Sequence, residues 1–219
     1  MESTQKINAD TIISNFMEYV LENEKAPKTI YAFAKHCNFE EQEFYDYFSS
    51  FEHLEKEIFK AFLDNTLALL NQNEQYLQFP AKEQLISFYY TFFELLTANR
   101  SYVLFMLKDY KGKLETLGML SELRKAFKAY IRTLNIETID LKQEKLKEFQ
   151  EKGMEEAAWI QLMLTIKFWL DDTSKGFEKT DIFIEKSIQA SFDIMDTKVL
   201  NSILDFGKFI FNEKMKTKR

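Results

Sequence analysis

The sequence predicts an all-helical protein. Two prolines and five glycines in 219 residues are too few chain breakers for many strands joined by tight turns, and no stretch alternates apolar with polar residues between turn signals. Hydrophobic residues make up 46% of the chain and 22 of them are phenylalanine. That supplies enough apolar area for a packed helical core and for an internal cavity.

The elements follow from periodicity and punctuation. Residues 8–24 read as a first helix, with Ile12, Ile13, Phe16, Tyr19 and Val20 on one stripe, ended by Ala26 and Pro27. Thr29 caps a short second helix that buries Ile30, Phe33, Ala34 and Cys37. Asn38 tolerates the left-handed backbone that a sharp turn needs. A third helix, NFEEQEFYDYF, turns Phe39, Phe44, Tyr45 and Phe48 inward. A long fourth helix starts at Ser49, which stands at capping-box spacing from Glu52. Beyond Pro80, residues 85–96 (LISFYYTFFELL) and 102–107 (YVLFML) are apolar on every side, so they must be surrounded by protein. Residues 114–134 are amphipathic, and 140–156 are mostly charged, a solvated face or connector. The apolar run 159–170 (WIQLMLTIKFWL) ends at DDTSKG; helices over 179–195 and 198–214 close the chain.

Three short helices, the last two joined by a tight turn, then a long one describe a helix-turn-helix head. The run AKHCNFEEQEFYDYFSSFEHL, residues 34–54, resembles the signature of TetR-family transcriptional regulators in its alanine closing the second helix, its turn, its aromatic pair with a terminal phenylalanine, and its Ser-x-Glu start to the next helix. The resemblance covers about the first 60 residues. It implies a helix-turn-helix domain over 1–55 and a ligand-binding and dimerisation domain over 56–219. It implies DNA contact through the third helix and its neighbours: Tyr45 and Tyr47 stand where the family places groove-facing or phosphate-contacting side chains, and Lys28, Thr29, Lys35, Gln42 and Glu43 are further candidates.

Charge argues that any such contact is weak. The first 60 residues hold six lysines, no arginine and twelve carboxylates, a net −6 that equals the charge of the whole chain. Phosphate neutralisation by Lys and Arg supplies most non-specific affinity for DNA, and arginine is the commonest reader of guanine. Here Glu40, Glu41 and Glu43 occupy the reading helix, Phe51 replaces the lysine that commonly opens the fourth helix, and Tyr31 replaces a basic residue often found in the second. Glutamates in a first turn also stabilise a helix through its macrodipole with no partner at all, by about 0.3–1 kcal/mol each.

In the family the larger domain binds a small, often hydrophobic effector. The side chains placed to line such a pocket are Tyr89, Phe92, Phe93, Phe105, Met106, Trp159, Met163 and Trp169, with Lys167 either reaching the surface or meeting an acidic head group. The resemblance implies a homodimer built on the last two helices, through Ile184, Ile188, Ser191, Phe192 and Met195 on one and Ile203, Phe206, Gly207, Ile210 and Phe211 on the other. An alternative is a TetR-fold protein that has lost DNA binding and carries a lipid or isoprenoid, similar to the TetR-like accessory protein of ubiquinone biosynthesis.

No enzyme, cofactor or metal is expected. His36 and Cys37 are adjacent, about 100° apart around a helix, which is no ligand spacing, and there is no glycine-rich phosphate loop. Asp171 and Asp172 stand where a helix ends, a place for capping or turning the chain. A single cysteine, no signal-like amino terminus and no apolar run of spanning length fit a cytoplasmic protein.

Overall fold

The computed structural model describes residues 7–107, 118–136 and 144–195. Among the described residues there are nine α-helices and no strand. They are α1 Ala9–Asn23, α2 Ile30–His36, α3 Glu41–Tyr45, α4 Phe51–Asn71, α5 Ala81–Ala98, α6 Arg100–Leu107, α7 Ser121–Thr133, α8 Glu144–Asp171 and α9 Glu178–Met195. Of the amphipathic stretch 114–134 and the charged stretch 140–156, residues from 118 and from 144 onward are described, and the helix predicted over 198–214 lies outside the described residues. Contacts divide the chain into two compact units, Met1–Ala68 with Phe92–Phe127 and Leu69–Thr91 with Lys128–Arg219.

In the first unit, α1 begins where the Asn8 side chain accepts the Thr11 N–H at 2.8 Å and ends at Glu24, whose φ is +52°. Ile12, Phe16 and Val20 form its buried stripe. The Thr29 hydroxyl accepts the Ala32 N–H at 3.1 Å and so caps α2. Asn38 takes φ +57°, as its place in the turn demands. Phe33 is the hub of this unit, with rings of Phe16 at 5.8 Å, Phe39 at 5.6 Å, Phe44 at 6.4 Å and Phe51 at 5.8 Å from its own. Phe51 also stacks on Phe16 at 5.4 Å. The residue that stands in place of a lysine is half-buried and packs against this aromatic cluster.

Three expectations need correction here. Tyr45 is 52% exposed, not inward, because α3 spans only five residues and just Phe44 of them is buried. The cap of α4 is Ser50, whose hydroxyl accepts the His53 N–H at 3.1 Å; Ser49 instead donates its N–H to His53 Nδ1 at 3.2 Å. The charged stretch before residue 157 is not a separate connector but the first half of α8, which continues through the apolar run to Asp171. Gly153 lies within it, exposed, with nothing near its missing side chain, so it weakens the helix without breaking it.

The second unit is held by polar as well as apolar contacts. The hydroxyls of Tyr76 and Tyr130 meet at 3.0 Å, Tyr130 donates to the Gln84 carbonyl at 3.3 Å, and Phe88 stacks on the Tyr130 ring at 4.6 Å. Arg132 grips the buried Glu155 carboxylate with both Nε and Nη2, the latter at 2.8 Å. Lys128 bonds Glu156 at 2.7 Å beside it. Between α8 and α9, Phe168 and Phe183 stack at 4.6 Å with planes 13° apart, while Gln161 donates to Ser187 and accepts from Ser191.

Candidate functional site

The α2–turn–α3 head presents a mixed surface. Of the seven residues expected to meet DNA, Lys28, Lys35, Gln42 and Tyr45 are exposed with side chains directed outward. The other three are occupied within the fold. Thr29 caps α2, and Tyr47 donates its hydroxyl to the Ile7 carbonyl at 3.0 Å. The Glu43 carboxylate accepts the Glu40 N–H at 2.9 Å, closing the first turn of α3 on itself. Tyr45 donates to Glu41 at a long 3.4 Å.

The basic residues of α4 are likewise engaged. Lys56 pairs with Glu52 at 2.7 Å, and Lys60 pairs with Asp64 at 2.9 Å and Glu57 at 3.3 Å. The Lys60 ammonium is held above its ordinary pKa, chiefly by its bond to Asp64. These pairs cancel charge that would otherwise face a polyanion. Glu40, Glu41 and Asp46 form no ion pair among the described residues.

The residues expected to line an effector pocket fall into two groups. Phe92, Phe93, Phe105 and Met106 belong to the first unit, and Tyr89, Trp159, Met163, Lys167 and Trp169 to the second. Tyr89, Phe92, Phe93, Trp159, Met163 and Trp169 are buried, whereas Phe105 and Met106 are partly exposed. Lys167 is exposed and stands at the rim of a surface recess of about 440 Å³, lined also by Leu164, Phe168, Asp171, Thr173, Lys179 and Phe183.

Ile184 and Ile188 are fully buried within the chain itself, and Phe192 is half-buried. Met195 closes α9. Ile203, Phe206, Gly207 and Ile210 lie outside the described residues. The outward apolar positions of α8 and α9 are Ile160, Leu164, Ile182 and Ile194, each more than half exposed at 57%, 53%, 51% and 61%. Their signal was in the sequence: Ile160 and Leu164 lie i,i+4 on the side of α8 opposite Trp159, Leu162 and Ile166.

Among the described residues no three His, Cys, Asp or Glu side chains gather as a metal site, and no helix is long and apolar enough to cross a membrane. The Cys37 thiol is pushed up to about 11, by burial first and by the Glu18 carboxylate second. Asp172 accepts four hydrogen bonds, from the N–H and hydroxyl of both Ser174 and Thr180, and joins the turn to the start of α9.

Nine helices among the described residues, with a capped helix-turn-helix at the amino end, set the context for the comparisons. The family profile described as "Tetracyclin repressor-like, C-terminal domain" matches residues 84–210, more than half of the chain. The chain belongs to the TetR family of regulators. Among solved structures, the TetR transcriptional regulator from Nitrosomonas europaea ATCC 19718 is similar, with a TM-score of 0.56 and 14% identity over 83% of this chain and 96% of that one. At that identity the likeness shows the fold alone. No curated protein matches in sequence. The all-α TetR-like architecture expected from the sequence is the one found.

Proposed function

We propose that this TetR-family chain is a transcriptional regulator that senses a small hydrophobic molecule, acts as a homodimer and contacts DNA only weakly. Residues 1–55 serve as its head and 56–219 as its sensing and dimerisation body. The observation that carries the weak-DNA reading is the charge arrangement of the head. The lysines of α4 are paired with carboxylates of the same helix, and the reading helix offers Glu40, Glu41 and Asp46 beside only Lys28 and Lys35. Few phosphates are neutralised by such a surface, so the salt dependence of binding is shallow.

A second reading is favoured by the same surface: the head is a retained folding unit and the chain binds a lipid or isoprenoid without meeting DNA. Fluorescence anisotropy of the full chain on random duplex DNA, from low to physiological salt, separates the two. A weak regulator binds at low salt with a slope of about two released counterions. Complete absence of binding at low salt overturns the first reading. In the weak regulator, replacing Glu40 and Glu41 by lysine steepens the slope by about two more.

We assign the homodimer to the outward face of α8 and α9, where Leu164, Phe168, Ile182 and Phe183 line two adjoining recesses rimmed by Lys167 and Lys179, and Ile160 is exposed one turn from Leu164. Ile184 and Ile188 support that face from behind, within the subunit.

A further inference from the structure

Two recesses adjoin on the outer side of α8 and α9. One, of about 440 Å³, is rimmed by Lys167. The other, of about 470 Å³, is lined by Phe168, Lys179, Ile182, Phe183, Lys186 and Ser187. Both volumes fall among those of small-molecule clefts, about 300–1,000 Å³. Phe168, Lys179 and Phe183 line both, so the two recesses share an aromatic floor and a cation. That floor is fixed from below. The Phe168 and Phe183 rings stack at 4.6 Å, and Gln161 ties α8 to α9 through bonds to Ser187 at 3.2 Å and Ser191 at 3.1 Å. The Lys179 N–H donates to the Ser174 hydroxyl at 3.2 Å, which holds the shared lysine in place at the start of α9.

Charge gives the recess a sign. Lys179, Ile182, Phe183 and Lys186 stand at i, i+3, i+4 and i+7, so one face of α9 carries apolar side chains between two cations. Among the described residues, Lys56, Lys60, Lys125 and Lys128 all pair with carboxylates, whereas Lys167, Lys179 and Lys186 form no ion pair. The recess at Lys167 also holds Asp171 and Asp172. No carboxylate lines the one at Lys186 among the described residues, and the neighbouring Glu185 accepts instead from the Tyr90 hydroxyl at 2.7 Å.

We propose that this face binds a free amphipathic anion, its apolar body laid on Phe168, Ile182 and Phe183 and its carboxylate or phosphate head met by Lys179 and Lys186. Burial of the body supplies the affinity, and the two unneutralised ammonium groups supply the choice of sign. A cationic amphiphile is repelled by them. The inference rests on the reading of the body as a sensor of apolar molecules and adds a regulation to the homodimer assigned to the same face. A second copy covers the same apolar side chains, so anion and partner exclude one another, and the anion shifts dimer toward monomer.

Calorimetric titration of the full chain with decanoate, decylamine and decanol, each below its aggregation concentration, tests the site. Decanoate binds at least about tenfold more tightly than decylamine. Lys179→Gln combined with Lys186→Gln weakens decanoate about tenfold and removes the preference. Lys25→Gln combined with Lys152→Gln, an equal change of charge elsewhere, leaves decanoate within about twofold. All of these lysines are exposed, and circular dichroism establishes that each variant is folded; should the first pair not fold, Lys186→Gln alone, with a loss of about threefold, decides. In analytical ultracentrifugation, saturating decanoate moves the wild type from dimer to monomer. Equal binding of decanoate and decylamine, or equal losses in the two lysine pairs, overturns the site. Capture on phosphatidylglycerol vesicles without binding of free decanoate gives the face to a membrane and likewise overturns it. A dimer that survives saturating decanoate overturns the exclusion. A wild type that is monomeric without ligand overturns the homodimer reading instead, and the calorimetry still decides the site. Failure of all three amphiphiles to bind overturns the sensing reading as well.

Discussion

The Glu43 carboxylate accepts the backbone N–H of Glu40 at 2.9 Å. A residue expected on sequence to face DNA is thus the lock of its own helix. Because α3 has only five residues, one satisfied donor is a large share of its stability. Glu43→Ala lowers stability by about 1 kcal/mol, a fall of about 2–4 °C in the thermal midpoint for a domain of this size. Glu43→Gln, which keeps an acceptor oxygen, loses less. Differential scanning calorimetry of both variants checks the order.

Asp172 makes the chain sensitive to acid. Burial pushes its carboxyl up, but the four bonds from Ser174 and Thr180 outweigh that and bring it down to about 2, against an ordinary value of 3.8. A folded pKa below the unfolded one stabilises the fold at pH values above the unfolded pKa. That contribution, on the order of 2 kcal/mol, is lost as pH falls from about 4 through about 2. Asp172→Asn removes the charge and flattens the acid limb between those values. Urea unfolding at pH 2, 3, 4 and 7 shows the change in slope.

What the sequence disclosed follows from the range of the forces involved. The Thr29 cap, the Asn38 turn and the Asp172 turn were legible because each is decided within a few residues by backbone geometry and a short polar side chain. The α8 boundary was not. The charged stretch before residue 157 and the apolar one after it differ in composition, yet Lys, Glu, Gln and Met are all good helix formers and a lone Gly153 costs only about 1 kcal/mol. The periodicity of α9 showed that Ile184 and Ile188 are buried. It was silent on whether the covering surface belongs to the same subunit, since burial carries no label of origin. The pairing of Lys60 with Asp64 and Glu57 was visible at i,i+4 and i,i+3 spacing. Counting charges along the chain, rather than around the helix, obscured it.

Cys37 is protected by its surroundings. With its thiol pushed up to about 11 from 9.0, the thiolate fraction near neutral pH falls about 100-fold relative to an unperturbed cysteine. The more basic thiolate is also the better nucleophile, which offsets part of this, so reaction with a chromogenic disulfide reagent at pH 7.5 is about tenfold slower in the folded chain than in urea. A native rate within a few-fold of the unfolded rate would contradict the burial seen here.

The proposed homodimer places its interface on the outward face of α8 and α9. Ile160, Leu164 and Ile182 are each exposed by more than half, and the stacked Phe168 and Phe183 make a rigid apolar platform between them. Exposed apolar area clustered in this way marks an interaction surface, and in a symmetric dimer each substitution enters the interface twice. Leu164→Asp combined with Ile182→Asp leaves the core untouched, since both side chains point away from it. The variant keeps its helical content and sediments as a monomer. Ile188→Asp, by contrast, places a charge where the side chain is fully buried and lowers the thermal midpoint sharply. Analytical ultracentrifugation paired with circular dichroism distinguishes the two outcomes. A double variant that remains dimeric moves the interface off this face.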